Sequence, residues 1–290
     1  MLGEHSVLHG SAAYAVPLRR YSACIERRDI NALRPQLPTE EGIHASFDFN
    51  KWAAFAKTSD VLTSVLDFEQ WETEASHLGV YADIPIGYGL GSSGAITAAA
   101  YHRYALQKTE DLTLLRTQLA ALESFFHGKS SGLDPLVSYL DRAVYISPTG
   151  EIEPVEVALA FPPFDEKGGW FLIDSGQPRA GKDAIRRFGE SCADEHWRTN
   201  VLTSMKTLVE ELALGMKHQS IVGLSPKLET LSKLQLQELN FLIPSHIAAL
   251  WSKWQEDGSA YLKLCGAGGG GFFLGYAPDK SRMLLEVIWL

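Results

Sequence analysis

The sequence predicts an α+β protein in two domains, because strand-like and helical segments fall into separate groups along the chain. A length of 290 residues is enough for two packed domains that share a cleft. The composition, 46% hydrophobic and 21% charged, provides enough apolar side chains for a sizeable core. We expect the first domain over residues 1–148 and the second over residues 149–290, with the boundary in the turn at 148–150.

Each element of the first domain follows from a local pattern. Alternating side chains indicate strands, and apolar residues three or four positions apart indicate amphipathic helices. Proline and glycine mark the ends, so that a strand ending at Pro85 is followed by a glycine-rich loop and an alanine-rich helix. The expected elements are strands over residues 12–27, helices over 48–78, a strand over 79–85, helices over 95–101 and 112–126, and a strand over 143–146.

The second domain has a different pattern, because a group of helices separates two groups of strands. Its last two strands are joined by a run of glycines, which indicates a turn. The expected elements are strands over residues 155–159 and 170–173, helices over 194–214, 226–241 and 245–255, and strands over 261–265 and 271–276.

Charge and cysteine content restrict the partners and the compartment. Lys and Arg number 26 against 35 Asp and Glu, a net charge of -9 that argues against nucleic acid or anionic membranes as partners. The cysteines Cys24, Cys192 and Cys265 are too widely spaced to indicate a zinc site or a disulfide framework. No segment has the pattern of a membrane span or a secretion signal. We therefore expect a cytoplasmic protein that binds a small solute.

The loop that follows Pro85 is the strongest local signal. Glycines at 87, 89 and 91 allow backbone amides to approach a phosphate, and the helix that follows directs its positive end at the same anion. Ser92 or Ser93 could instead cap this helix. A cap needs only one residue, however. Each further glycine lowers stability, because glycine loses more conformational entropy on folding than other residues do. The pattern favours anion binding.

Three other segments match known motifs without the context that those motifs need. Residues 176–183 have the spacing of a P-loop, but Asp183 replaces the hydroxyl that holds magnesium and Pro178 removes an amide donor. Residues 266–271 fit a dinucleotide fingerprint, but a strand-like run follows where that fold needs a helix. Residues 128–132 fit a hydrolase elbow with Ser130 as nucleophile, although the elbow needs a preceding strand and the preceding segment is helical.

Two carboxylates lie between the loop and the end of the first domain. Glu123 comes near the end of an amphipathic helix, and Asp134 follows a glycine turn and precedes Pro135. As structural residues, Glu123 would be a solvated charge and Asp134 a helix cap. Phosphoryl transfer offers a second interpretation, because it needs a metal ligand and a group beside the attacking hydroxyl.

Three motifs in a fixed order resemble those of the GHMP family of small-molecule kinases. They are residues 3–10, residues 85–93 and residues 263–271, which together span nearly the whole chain. The second is highly specific. Two further segments, residues 123–134 and residues 173–179, agree with the same resemblance.

The resemblance implies a two-domain GHMP-kinase-like fold, with an N-terminal α+β domain, a C-terminal ferredoxin-like domain and the active site in the cleft. It implies transfer of the γ-phosphoryl group of ATP to the hydroxyl of a small hydroxy acid or alcohol, with Mg²⁺ as the metal. Mevalonate is the leading acceptor, and another small alcohol or sugar is the alternative. A homodimer is compatible with the resemblance.

By position, the resemblance also assigns roles to individual residues. Asp134 is the acceptor-side carboxylate, either removing the hydroxyl proton or orienting the hydroxyl. Ser93 and Glu123 are the expected magnesium ligands, while Glu4 and His5 are expected near the acceptor. The residues expected to contact the nucleotide phosphates are Pro85, Gly87, Gly89, Leu90, Gly91, Ser92 and Ser93.

One departure from the family pattern concerns a lysine on the first strand. GHMP kinases usually carry it six residues before the position of Glu4, which in this chain falls before Met1. Two alternatives are open: the sequence is truncated at its N-terminus, or the lysine is lost. Loss of a cation beside Asp134 would weaken the stabilisation of developing negative charge. We therefore expect weak or absent turnover for this chain as written, and a nucleotide-binding protein without catalysis is the alternative function.

Overall fold

The computed structural model describes residues 1–27, 43–44, 47–85, 87–156, 161–179 and 181–290. It contains both helices and antiparallel sheets, which confirms the predicted α+β class. The chain divides into two compact units. Unit 1 comprises Met1–Val16, Ile86–Leu90 and Ala143–Leu290, and unit 2 comprises Pro17–Pro85 and Gly91–Arg142.

Strands and helices alternate in groups along the chain. The strands are β1 (Ala13–Ala15), β2 (Ala23–Arg27), β3 (Ile43–His44), β4 (Leu78–Ala82), β5 (Ala143–Ile146), β6 (Ile152–Val155), β7 (Gly169–Asp174), β8 (Tyr261–Leu264), β9 (Phe272–Ala277) and β10 (Ile288–Trp289). The helices are α1 (Phe49–Ala56), α2 (Asp60–Thr63), α3 (Phe68–Glu74), α4 (Ser92–Tyr104), α5 (Leu112–His127), α6 (Leu133–Leu140), α7 (Gly181–Ala193), α8 (Glu195–Trp197), α9 (Thr203–Lys217), α10 (Leu224–Glu238) and α11 (Ser245–Asp257). None of the helices in the described part of the chain has the length and apolarity that a bilayer span requires.

Unit 1 contains two antiparallel sheets. One has the strand order β1-β5-β6, and the other has the order β10-β7-β9-β8. In the second sheet β9 pairs along its whole length with β7, from Gly169 opposite Ala277 to Asp174 opposite Phe272. All six residues of β9 are buried, because both of its faces are covered.

Unit 2 joins a small antiparallel sheet, in the order β2-β4-β3, to helices α1–α6. Several helices begin at an aspartate whose side chain accepts from a backbone amide of the first turn, including Asp48, Asp67 and Asp111. The core is aromatic: the rings of Trp71 and Tyr104 stack with their centroids 4.5 Å apart, and Trp52 donates its indole N–H to the Leu122 carbonyl at 3.0 Å.

The structure differs from the sequence predictions at several places. The first sixteen residues are grouped with residues 143–290 and not with the N-terminal half, because β1 pairs with β5. Helix α7 was not predicted, although its buried residues Ala184, Phe188 and Cys192 recur every four positions. The strand expected over 155–159 is β6, which ends at Val155, and residues 157–160 lie outside the described residues.

Candidate active site

The phosphate-loop helix α4 begins without a side-chain cap. Its N-cap residue is Gly91, in the left-handed conformation with φ 75° and ψ 32°. The suggestion that Ser92 or Ser93 caps this helix is therefore wrong, since both already lie inside it. A thirteen-residue helix that starts at a glycine leaves its first amides for another acceptor.

Asp134 lies directly against the start of α4. A Cβ atom on Gly94 would approach the Asp134 Cβ to 2.8 Å, and one on Gly91 would lie 3.5 Å from the Asp134 Cγ. Only glycine allows this approach at position 94. The N-cap of α6 is Gly132, so Asp134 is a first-turn residue with an exposed side chain and not the cap.

Glu123 is buried, with an exposed fraction of only 5%, which overturns its interpretation as a solvated charge. Ser93 donates its hydroxyl to Oε1 of Glu123 at 2.8 Å, and Ser130 donates its hydroxyl to Oε2. Burial raises the pKa of this carboxyl, the hydrogen bond from Ser130 opposes the rise, and the nearby charge of Asp134 adds to it. Unit 2 thus brings Ser93, Glu123 and Asp134 together.

The turn between α5 and α6 holds these groups in place. Gly132 has φ 71°, and a Cβ there would clash with the Arg116 carbonyl oxygen, so the turn is pressed onto α5. Arg116 donates from Nε to the Ser131 carbonyl at 2.8 Å. Because helix α5 precedes this turn, the strand that a hydrolase elbow needs is missing and Ser130 is not a nucleophile of that type.

Residues 87–90 of the predicted phosphate loop belong to unit 1, where they pack on the glycine run of the third motif. The Phe272 amide donates to the Tyr88 carbonyl at 2.9 Å. A Cβ on Gly89 would lie 2.9 Å from the Cys265 carbonyl oxygen, so glycine is required by contact as well as by its φ of 86°. Strand β9, and not a helix, follows the glycine run, which rules out the dinucleotide fingerprint.

Arg179 lies beside the loop glycines, and the motif spacing alone gave it no role. Its backbone amide donates to the Gly87 carbonyl at 2.9 Å. Its Cδ lies 3.4 Å from where a Cβ on Gly89 would be, and its Nη1 occupies the space that a Cβ on Gly266 would need. A guanidinium therefore lies against the glycines of the loop in unit 1, where it could bind an anion.

Glu4 and His5 are both buried in unit 1. Glu4 accepts from Lys263 Nζ at 2.7 Å, and the side chains of this ion pair are 5% and 1% exposed. His5 Nε2 lies 3.5 Å from the Ala267 carbonyl oxygen, and burial lowers the pKa of His5, which keeps the ring neutral. Their predicted contact with an acceptor stays a prediction.

Pro85 and Leu90 are also predicted to contact the nucleotide phosphates. Pro85 precedes the loop, and Leu90 precedes the Gly91 cap; both are partly exposed. Among the residues that the structure describes, no three His, Cys, Asp or Glu side chains are grouped so as to hold a metal. Any metal at this site would therefore need ligands from a bound substrate as well.

Comparisons with known proteins identify relatives of this chain. Residues 58–142 match the family model of the GHMP kinases N terminal domain. A mevalonate kinase of Pyrococcus abyssi is 29% identical over 317 residues, which cover 99% of this chain and 89% of the relative. A mevalonate kinase of Thermococcus sibiricus is 28% identical over 312 residues, with the same coverage of 99% and 89%.

Solved structures show the same fold at lower identity. The structure of L. major mevalonate kinase in complex with R-mevalonate has a TM-score of 0.63 at 12% identity, covering 97% of this chain and 85% of the other. Streptococcus pneumoniae phosphomevalonate kinase in complex with phosphomevalonate and AMPPNP has a TM-score of 0.62 at 16% identity, covering 100% of this chain and 96% of the other.

The fold, the ordered motifs and the match over residues 58–142 make this chain similar to the small-molecule kinases of the GHMP class. This confirms the resemblance drawn from the three motifs. Within that class, the chain is similar along nearly its whole length to mevalonate kinases.

Proposed function

We propose that this chain transfers the γ-phosphoryl group of ATP to the hydroxyl of mevalonate, with Mg²⁺ held by Ser93 and Glu123 and the hydroxyl oriented by Asp134. The observation that carries the proposal is the hydrogen bond of 2.8 Å between Ser93 and Glu123 at the start of α4, beside Asp134. The hydroxyl of Ser93, the carboxylate of Glu123 and the carboxylate of Asp134 therefore lie together at the positive end of α4. In this proposal Glu123 binds the metal and Asp134 faces the substrate hydroxyl.

The donor set of this site suits magnesium. Glu123 is buried and the pKa of its carboxyl is raised by burial, so a cation beside it would relieve an unfavourable charge. Ser93 and Glu123 offer hard oxygen ligands, and Mg²⁺ commonly takes one or two protein ligands and completes its shell with phosphates and water. Held by Ser93 and Glu123, the ion would supply positive charge that neutralises the phosphates.

The chain's own groups perform the remaining tasks. The uncapped amides at the start of α4 bind phosphate oxygens. Asp134 has an exposed carboxylate in the first turn of α6 and accepts a hydrogen bond from the attacking hydroxyl. Because phosphoryl transfer passes through a loose transition state, positioning the hydroxyl matters more than early removal of its proton.

Residues 87–90 of the predicted phosphate loop belong to unit 1, as does Arg179. Arg179 supplies a positive charge beside Gly89, which compensates for the unfavourable net charge of -9. The buried His5 is neutral, so it is suited to a hydrogen bond with a polar group of the substrate that accepts the phosphoryl group, and not to an ion pair with it. Mevalonate is favoured over other acceptors because the full-length relatives are mevalonate kinases.

The direct test is a coupled assay of ADP release with a panel of acceptors, namely mevalonate, phosphomevalonate and galactose. Any ADP release, weak for this chain as written, is expected with mevalonate only. ADP release with another acceptor would show that the proposed substrate is wrong and that the proposed phosphoryl transfer is right. Binding of Mg-ATP with no release on any acceptor, even with a lysine-bearing segment restored upstream, would favour a nucleotide-binding protein without catalysis.

The role of Asp134 is tested by Asp134→Asn. We expect kcat to fall by about 10²- to 10⁴-fold, as for loss of a positioned acid–base group, with Mg-ATP affinity retained. Asp141→Asn is the matched control, since Asp141 is an exposed carboxylate just beyond the other end of α6. An Asp134→Asn variant as active as the Asp141→Asn variant would refute the assignment.

A further inference from the structure

Ser130 makes two hydrogen bonds to which the proposed function assigns no role. Its hydroxyl donates to Oε2 of Glu123 and accepts from the Gly132 amide at 2.9 Å. A single hydroxyl therefore connects a buried carboxylate of α5 to the turn that leads into α6. A serine in a surface turn needs neither contact in order to fold, because water can serve both of its roles.

The two oxygens of Glu123 are bound from different elements. Oε1 accepts from Ser93 on α4, and Oε2 accepts from Ser130 on the turn after α5. Hydrogen bonds to both oxygens restrict rotation of the carboxylate about its last torsion. Loss of the contact at Oε2 would leave the group held at one oxygen only.

The turn is also held by contacts that do not involve Ser130. Arg116 holds it through the hydrogen bond of 2.8 Å to the Ser131 carbonyl, and Gly132 packs closely on the backbone of α5. The Leu133 amide also donates to the Ser131 hydroxyl at 3.3 Å. Removal of the Ser130 hydroxyl should therefore change the carboxylate more than the turn.

We propose that Ser130 is a positioning residue of the phosphoryl-transfer site, which fixes the Glu123 carboxylate so that Oε1 faces Ser93. This inference rests on the proposed function, because it gives Ser130 a role only if Glu123 binds the metal. Groups that orient a metal ligand through its second atom typically change metal affinity or activity by about 10- to 100-fold. The same contact explains why the chain carries a hydroxyl at this point of the turn.

The test compares the full chain with Ser130→Ala, Ser130→Thr and Ser124→Ala. Threonine keeps the hydroxyl, and Ser124→Ala is the matched control because its hydroxyl bonds the Ala120 carbonyl of the same helix and not Glu123. The measured quantities are the affinity for Mn²⁺ in the presence of ADP, by electron paramagnetic resonance, and the affinity for ADP without metal, by calorimetry. The apparent KM for Mg²⁺ in the kinase assay is a third readout.

We expect Ser130→Ala to weaken Mn²⁺ binding by about 10- to 100-fold and to raise the KM for Mg²⁺ to match, with metal-free ADP affinity unchanged. Ser130→Thr and Ser124→Ala should match the unaltered chain. A loss of stability alone would lower every readout together and would not separate the two affinities. Should Ser130→Ala fail to fold, the nearly isosteric Ser130→Cys, a weak donor, has the same expectation.

The outcomes distinguish this inference from the function on which it rests. Unchanged Mn²⁺ affinity in Ser130→Ala, while the unaltered chain binds Mn²⁺ and ADP, would overturn the role of Ser130 and leave the kinase reaction intact. Failure of the unaltered chain to bind Mn²⁺ with ADP would overturn the metal site, and the role of Ser130 with it.

Discussion

Two glutamates with buried side chains, one in each unit, differ in the charge of their hydrogen-bond donors. The side chain of Glu4 in unit 1 is 5% exposed, and Glu123 in unit 2 is 5% exposed as a whole residue. Glu4 contacts the ammonium of Lys263, whereas Glu123 accepts from the hydroxyls of two serines. Burial raises the pKa of both carboxyls, but the outcome is a lowered pKa for Glu4 and a raised pKa for Glu123.

The difference comes from the charge of the partners. At Glu4, the effect of burial is outweighed chiefly by the ammonium of Lys263, which also donates to the carbonyls of Met1 and Leu264. At Glu123, neutral hydroxyls do not outweigh burial, and Asp134 adds negative charge. Glu4 thus has a counter-charge within the chain, although its Oε2 makes no hydrogen bond within the described residues, and Glu123 has the surroundings of a group that binds a cation.

The largest expected effect is on stability in unit 1. Lys263→Met leaves Glu4 buried beside an apolar side chain, and we expect the free energy of unfolding in urea to fall by about 3–5 kcal/mol. Lys233→Met is the control, because it removes an exposed pair with Glu229 whose contribution is about 0.3–0.5 kcal/mol. Equal losses in the two variants would contradict the comparison.

The next effect separates activity from stability in unit 2. We expect Glu123→Gln to lower kcat with saturating Mg-ATP by at least about 100-fold, because a neutral amide is a poor magnesium ligand. Its free energy of unfolding should not fall, since burial already disfavours the charged form. Glu4→Gln should do the reverse and lower stability, because Lys263 then lacks its counter-charge. If both variants lose the same free energy of unfolding, the two glutamates do not differ in how the burial of their charge is compensated.

The smallest effect is a difference in pH dependence. Glu4, with a lowered pKa, stabilises the protein above its ordinary value of 4.5, and this contribution is lost as the pH falls through the folded-state pKa. Glu123, with a raised pKa, acts in the opposite direction: the folded protein takes up its proton first, so stability rises as the pH falls from neutral towards 4.5.

Urea titrations at several pH values measure these two contributions. We expect Glu123→Gln to remove the gain in unfolding free energy on mild acidification and Glu4→Gln to remove the loss at lower pH. Identical pH profiles for the unaltered chain and both variants would show that neither carboxyl is shifted.

Much of the site follows from local sequence. The alternating glycines predict the left-handed turn that ends at Gly91, because only glycine adopts positive φ without strain. The spacing of the motifs also identifies Ser93, Glu123 and Asp134, which unit 2 brings together. The role of Ser130 was missed, since its spacing fits a hydrolase elbow and nothing local indicates that its hydroxyl faces Glu123.

Most helices, strands and glycine turns could therefore be predicted from the order of residues alone, because these elements depend on interactions between near neighbours in the chain. Which buried carboxylate has a counter-charge depends instead on the folded arrangement. Lys263 and Glu4 are separated by 259 positions, and a carboxyl takes its pKa from the charges around it in space and not from its neighbours in sequence.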